Sequence, residues 1–226
     1  DLLKNKKGIL DYLKHPLAIS GLLVFGSTFV GNFFAFLFNF ISARLLGPVD
    51  YGSFAAIMAV VGITGIFSQT LSTTLVKFIS NFKGEGEVGK LQSLWKDISL
   101  LFFFLGLVIF VLFYFFRLPL SQFLNVTSSA SMVGVGLYLW FSFLQTVNTA
   151  ALTGLQNFNF MAASGFLGSF LKFILGTGFI LLGIKWQAPV AGAVLGVSLS
   201  VLAVYLFTLL PLRSFVVASR SILPKL

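Results

Sequence analysis

The sequence predicts an all-α protein that crosses a membrane six times, and three observations lead to this fold class. Of the 226 residues, 58% are hydrophobic and only 9% are charged, whereas soluble domains are about 25% charged. Uncharged stretches of at least the ~20 residues that a bilayer requires recur along the chain. The charged residues lie between these stretches instead of forming one face. A soluble enzyme and a nucleic-acid-binding protein are therefore excluded, despite the net charge of +9.

The six predicted spans follow from the positions of the apolar stretches and of their breaks. Most stretches are bounded by charged residues, but the uncharged run 118–171 is too long for one span. It must contain a connecting segment, a full span and the start of another, because 118–121 and 157–159 resemble turns. The predicted spans are 17–43, 51–76, 98–116, 132–155, 160–184 and 188–212.

The distribution of Lys and Arg predicts that both termini are cytoplasmic, since cytoplasmic loops are enriched in these residues. The eleven basic residues of the cytoplasmic side are Lys4, Lys6, Lys7, Lys14, Lys77, Lys83, Lys90, Lys96, Arg213, Arg220 and Lys225. Only Arg44, Arg117 and Lys185 fall on the other side. We therefore expect a cytoplasmic interfacial segment 1–16, a six-helix lobe 17–212 and a cytoplasmic linker 213–226, in the cytoplasmic (inner) membrane of a prokaryote.

Two segments outside the spans have an amphipathic pattern. Segment 1–16 places apolar residues at helical spacing with lysines between them, which is typical of a helix lying on an anionic membrane surface. A disordered basic tail is the alternative. Segment 118–126 predicts a second short amphipathic piece, on the outer side.

Four predicted spans carry polar residues at helical spacing, so each has one polar face. Polar groups are costly against lipid and are expected to point inward. They can serve as hydrogen-bonding contacts between helices, or they can line a water-accessible cavity. Three of these helices carry a polar stripe that extends over several turns, and this favours the cavity. In contrast, span 98–116 has no polar face and is predicted to be peripheral, and Gly192, Gly196 and Ser200 predict close helix packing in the last span.

Lys172 is predicted to lie near the middle of the membrane, where charged side chains usually mark a pathway or a paired site. The alternative is that its helix begins later and the side chain extends to the membrane surface. All six acidic residues fall in tails, loops or span edges, so a cavity around Lys172 suits an anionic substrate. With no cysteine and one histidine, we expect no metal, no cofactor and no enzymatic activity.

Two motifs resemble those of polysaccharide flippases in the multidrug/oligosaccharidyl-lipid/polysaccharide exporter superfamily. The turn after the first span reads Ala-Arg-Leu-Leu-Gly-Pro over 43–48, followed by Tyr51-Gly52. The second motif, Gly-Leu-Gln-Asn-Phe over 154–158, has Asn157 where the family usually has a basic residue. Lys77 and Lys172 stand where basic residues are common in the family.

This resemblance implies one lobe of a two-lobed transporter, the second lobe coming from the rest of the chain or from a pairing copy. It implies a flippase that moves a polyprenyl-pyrophosphate-linked saccharide between leaflets by alternating access, with membrane lipid and this anionic substrate as partners. The implied substrate-binding residues are Lys172 and Lys77 for the pyrophosphate, and Asn32, Asn39, Gln69, Gln145 and Asn148 for sugar hydroxyls.

Two other functions stay open. The first is a cation-coupled multidrug or metabolite antiporter of the same superfamily, although the acidic residue that this function would place in the first span is absent from 17–43. The second is a scaffold protein of a glycan-export complex.

Overall fold

A computed structural model describes residues 16–126, 128–185 and 188–220, with side chains described between 21 and 212 except at position 88. The predicted interfacial segment 1–16 lies outside the described residues apart from Pro16. The described part is all-helical. Its helices are α1 (Pro16–Gly84), α2 (Val88–Phe115), α3 (Arg117–Phe123), α4 (Ala130–Gly154), α5 (Phe158–Lys185) and α6 (Pro189–Arg220).

Helix α1 is folded back on itself at Gly47. This glycine has φ 72° and ψ 176°, outside the helical region, and Pro48 follows it with no N–H to continue the hydrogen-bond ladder. The ring centroids of Phe38 and Phe54 lie 6.0 Å apart, whereas a straight helix would separate these positions by about 24 Å. The first arm (16–46) and the second arm (48–84) therefore run antiparallel and pack against each other.

This hairpin explains the number of membrane spans. Among the residues that the structure describes, five helices are long and apolar enough to cross a membrane, and the qualifying part of α1 has 64 residues. That length corresponds to about 96 Å, three times the ~30 Å hydrocarbon thickness. With α1 counted as two arms, the described part of the chain is a six-span helical bundle, and the predicted fold class is confirmed.

The helix boundaries differ from the prediction most at three places. The second arm of α1 continues to Gly84 instead of ending at 76, α2 begins at Val88 instead of 98, and α6 continues to Arg220, into the predicted linker 213–226. The added turns of α2 contain charged residues such as Lys96 and Asp97. A membrane helix can contain charged residues where its end projects beyond the hydrocarbon region. Apolar length predicts the membrane-embedded part of a helix but not its projecting ends.

Helix α2 matches its predicted position at the edge of the bundle. Leu101, Phe104 and Phe115 of α2 are 63%, 56% and 74% exposed, as expected for a lipid-facing helix. Helix α2 packs mainly on α4, where Gly106 lies against the ring of Trp140. The predicted amphipathic piece after α2 is the short helix α3.

The core lies where α1, α4, α5 and α6 meet. Its fully buried side chains include Phe38, Ile57, Met132, Ile180 and Val194. Helices α5 and α6 approach closely because a Cβ at Gly192 or Gly196 would collide with the carbonyl oxygen of Phe179 or Leu175. The predicted close packing by these two glycines is confirmed.

Candidate functional site

A partly open cavity of about 290 Å³ is lined by the first arm of α1 and by helices α4, α5 and α6. Small residues on α5 make room for it, and a few polar side chains project into mostly apolar walls. Its lining residues are Ala35, Tyr138, Gln145, Ser164, Gly165, Gly168, Ser169, Lys172, Val197, Ser200, Val201 and Val204.

Lys172 lies at the middle of α5 and lines this cavity. Helix α5 spans Phe158–Lys185, so about 20 Å of helix lies on each side of Lys172. Its Nζ is 5.3 Å from the centroid of the Phe38 ring, within the range of a cation–π interaction. The small residues Gly168 and Ser164, one and two turns earlier on the same face, leave space beside the ammonium group.

No carboxylate among the described residues faces this ammonium. The described acids are Asp50, at the start of the second arm, and Glu85, Glu87 and Asp97, near the connection between α1 and α2. Of these, Glu87 forms an ion pair with Lys90, with its Oε1 2.7 Å from Nζ. The cavity lining therefore contains a cation and no anion, and the described residues include no cluster that could hold a metal ion.

Gln145 lines the cavity from α4, and hydrogen bonds fix both ends of its amide. Its Nε2 donates to Thr149 Oγ1 at 3.3 Å, and its Oε1 accepts from Thr208 Oγ1 at 3.2 Å. Thr208, on α6, is fully buried. The Gln145 side chain is thus held in place by a neighbour on its own helix and by a second helix.

Asn148 lies one turn after Gln145 but is buried, and it is absent from the cavity lining. Its Nδ2 donates to Thr208 Oγ1 at 3.1 Å and to the Tyr205 carbonyl oxygen at 3.5 Å. Its Oδ1 accepts from Trp95 Nε1 at 3.4 Å. The amide therefore links α2, α4 and α6.

The other four predicted site residues are exposed and do not line the cavity. Asn32 and Asn39 are on the first arm of α1, and Gln69 and Lys77 are on the second arm. Asn39 Nδ2 donates to the Ala35 carbonyl oxygen at 2.9 Å. A Cβ added at Gly65 would meet nothing within 4 Å, so this part of the second arm has open space beside it.

The structure therefore separates the predicted residues into three groups. Lys172 and Gln145 line one cavity. Asn148 is outside the lining and bonds Thr208, which in turn bonds Gln145. The remaining four are exposed. Phe38 and Thr208 were not predicted as site residues. Phe38 could not be singled out from the sequence, because it is one of many phenylalanines in an apolar span. The one available signal for Thr208 is its position seven residues after the cavity-lining Val201, on the same helix face.

Comparisons with known proteins identify the family. A family model described as polysaccharide biosynthesis protein matches residues 19–225, which is nearly the whole chain. The searches of curated proteins and of solved structures found no match. The resemblance to polysaccharide flippases is confirmed at the level of the family. The chain belongs to the polysaccharide biosynthesis protein family, within the multidrug/oligosaccharidyl-lipid/polysaccharide exporter superfamily.

Proposed function

We propose that the protein is a flippase that moves a polyprenyl-pyrophosphate-linked saccharide across the cytoplasmic membrane by alternating access. The observation that carries this proposal is the environment of Lys172, a half-buried cation in a cavity whose described lining contains no carboxylate. Leaving an ammonium unpaired at this depth costs about 2.5–3.5 kcal/mol on insertion scales. An anionic group that enters the cavity would offset this cost.

A pyrophosphate is the anion that best fits the family and the cavity. The polar groups of the lining include Lys172, the Gln145 amide and the Tyr138 hydroxyl, and each of these three can donate a hydrogen bond to a phosphate oxygen. The polyprenyl tail would stay in the bilayer, because the exposed side chains of α2 between 100 and 112 are all apolar.

The outward-facing polar residues fit contact with the saccharide and with a second lobe. Asn32, Asn39 and Gln69 would bond sugar hydroxyls, and Lys77 would assist Lys172 in offsetting the pyrophosphate charge. Exposed amides on membrane-spanning helices are costly against lipid. A second lobe, from the rest of the chain or from a pairing copy, would cover them.

The second candidate is a cation-coupled multidrug or metabolite antiporter. Only membership of the superfamily favours this function. The acidic residue that it would need in the first arm of α1 is absent, since 17–43 contains no Asp or Glu. The scaffold alternative does not account for a cavity that contains a cation. In either transport function, the helical membrane fold and the family are those of a transporter-type protein and not of an enzyme.

Translocation assays on Lys172 variants test the proposal. The assay uses membrane vesicles from cells that express the complete gene. In these vesicles the second lobe is present whether it comes from the rest of the chain or from a pairing copy. A fluorescent polyprenyl-pyrophosphate oligosaccharide should become accessible at the opposite leaflet in these vesicles. We expect Lys172→Ala to reduce the rate at least tenfold, since a charged hydrogen bond contributes about 1.5–3 kcal/mol. Lys172→Arg should retain part of the rate, because it keeps the charge and changes the geometry.

The matched control is Lys185→Ala, which removes an exposed lysine at the end of the same helix. It should leave translocation within about twofold, the range expected for a surface charge. Equal rates for Lys172→Ala and the unmodified protein, at equal amounts in the membrane, would reject the role of this lysine. Cation-driven efflux of a drug without translocation of the lipid would support the antiporter.

A further inference from the structure

Helices α2 and α3 are joined by a bend at Phe116. This residue has φ −90° and ψ 15°, away from the values of a regular helix. Backbone hydrogen bonds nevertheless continue across it, from Phe116 N to the Leu112 carbonyl oxygen at 2.9 Å and from Leu120 N to the Phe116 carbonyl oxygen at 3.0 Å. Pro119 has no N–H to donate to the carbonyl of Phe115, so one bond of the ladder is missing in this turn. Helix α3 therefore continues from α2 through a bend and not through a loop.

An apolar groove of about 610 Å³ lies at this bend, lined by residues of both helices. Phe116 and Phe123 are 55% and 86% exposed, so the groove is open to the surroundings of the bundle. It shares no lining residue with the cavity around Lys172 and is a separate site. Its lining residues are Leu112, Phe113, Phe116, Pro119, Leu120 and Phe123.

A cation lies beside this groove. Arg117 follows the groove-lining Phe116 directly and is exposed, and its guanidinium carbon lies 5.1 Å from the centroid of the Tyr114 ring. Tyrosine is enriched at the membrane–water interface, where arginine also extends its charge to the headgroups. This pair therefore indicates headgroup depth. The cation–π contact uses the charge of the guanidinium and none of its five N–H donors, which can bind a phosphate in a bidentate way.

We propose that the groove at this bend binds an anionic phospholipid, with the phosphate on Arg117 and an acyl chain in the groove. Charge complementarity identifies the occupant, because a cation beside an apolar groove matches a ligand with an anionic head and an apolar tail. A free phosphate would leave the groove empty, and a zwitterionic lipid would bring a positive group towards the arginine. In the predicted topology, this site lies in the leaflet opposite the two termini.

Lipid binding to the complete protein tests this site. The protein is stripped of lipid in a neutral detergent and titrated with phosphatidylglycerol, with zwitterionic phosphatidylcholine as the comparison, and native mass spectrometry measures binding of the first lipid. We expect phosphatidylglycerol to bind about fivefold more tightly, which corresponds to the ~1 kcal/mol of one basic residue at a membrane surface. Arg117→Ala should abolish this preference. Arg117→Lys should retain part of it, because the charge remains and the bidentate geometry is lost.

Arg44→Ala is the matched control for the charge. Arg44 is also exposed, is predicted to lie on the same side of the membrane and also lies over an aromatic ring, 4.6 Å from the centroid of Phe40. Helix α1, however, contributes no residue to the groove. Arg44→Ala should leave the preference within about twofold, the range expected for a surface charge.

Two neighbouring phenylalanines provide the matched pair for the groove. Phe115 and Phe116 are both exposed, and Phe116 lines the groove whereas Phe115 does not. Phe116→Ala should weaken the binding of phosphatidylglycerol by about twofold or more, because the acyl chain loses van der Waals contacts. Phe115→Ala should leave it unchanged.

Equal binding of the two lipids by the unmodified protein, or an unchanged preference in Arg117→Ala, would overturn the proposal. So would an equal loss in Arg44→Ala, because the attraction would then come from the general charge of that side. Displacement of the lipid by inorganic phosphate at constant ionic strength would indicate a phosphate site in which the chain has no role. Equal effects of Phe115→Ala and Phe116→Ala would place the chain elsewhere. Lys172→Ala should bind the lipid like the unmodified protein, so this site and the proposed function are tested independently.

Discussion

At the scale of single residues, the ammonium of Lys172 is stabilised by an aromatic ring and not by a described carboxylate. The Phe38 ring, 5.3 Å away, contributes about 0.5–2 kcal/mol in such geometries. This is less than the ~2.5–3.5 kcal/mol cost of a charge at this depth. In the proposed function, a bound anion would offset the rest of this cost.

The interaction between Phe38 and Lys172 can be measured directly. A double-mutant cycle of Phe38→Leu and Lys172→Met, with stability measured by unfolding in detergent, should give a coupling of about 0.5–2 kcal/mol. The matched pair is Phe40 and Arg44, whose guanidinium carbon lies 4.6 Å from the ring centroid at the surface of the bundle. An exposed pair should couple by about 0.5 kcal/mol. Zero coupling at Phe38 would reject the cation–π interaction.

The sequence identified part of the cavity and not all of it. Lys172 and Gln145 were predictable because a charge and a large amide are rare inside membrane spans. Helical spacing places Asn32 and Asn39 on a shared face, but it does not say whether that face points into the same lobe or away from it. Asn148 has the same residue type as these two, and only the packing of α4 against α6 shows that it is buried and bonded.

At the scale of elements, the turn in α1 depends on one residue with a left-handed conformation. Gly47 has φ 72°, and an added Cβ would meet no atom within 4 Å. Gly47→Ala should therefore destabilise the protein by about 1–2 kcal/mol through backbone strain alone. Gly52→Ala is the matched control, because Gly52 lies in the helical second arm with equal space around it.

Unfolding of both glycine variants in detergent measures this difference. Gly52→Ala should be neutral or slightly stabilising, since alanine is the better helix former. Equal stability of Gly47→Ala and Gly52→Ala would contradict the strained turn.

The helices themselves were largely predictable, since apolar length and breaks locate each of them. The first span was predicted to end at 43, close to the Gly47-Pro48 pair where the first arm ends, because a helix stops readily at such a pair. The start of α2 at Val88 was missed by ten residues. Its first turns contain charged residues at the membrane surface, and a hydropathy criterion cannot tell such a helix from a loop.

At the scale of the whole molecule, the orientation in the membrane is a prediction that reporters can check. The excess of Lys and Arg on one side predicts that both termini are cytoplasmic. A reporter fused after Leu226 should be active in the cytoplasm, and one inserted at 121–126, after α3 begins, should be active outside. The control is an insertion at Gly86, between α1 and α2, which should match the terminus. If the reporters at Leu226 and at 121–126 lie on the same side of the membrane, the number of spans is wrong.

The tight turn at Gly47 also has a consequence for biogenesis. Because the two arms of α1 join without a hydrophilic loop, the translocation machinery must carry very little polar material across when this pair inserts. Between 17 and 76, Arg44 and Asp50 are the only charged residues, and they have opposite signs. Moving such a charge through the membrane centre costs about 2.5–3.5 kcal/mol. The long apolar arms can repay that cost if they enter together as one hairpin.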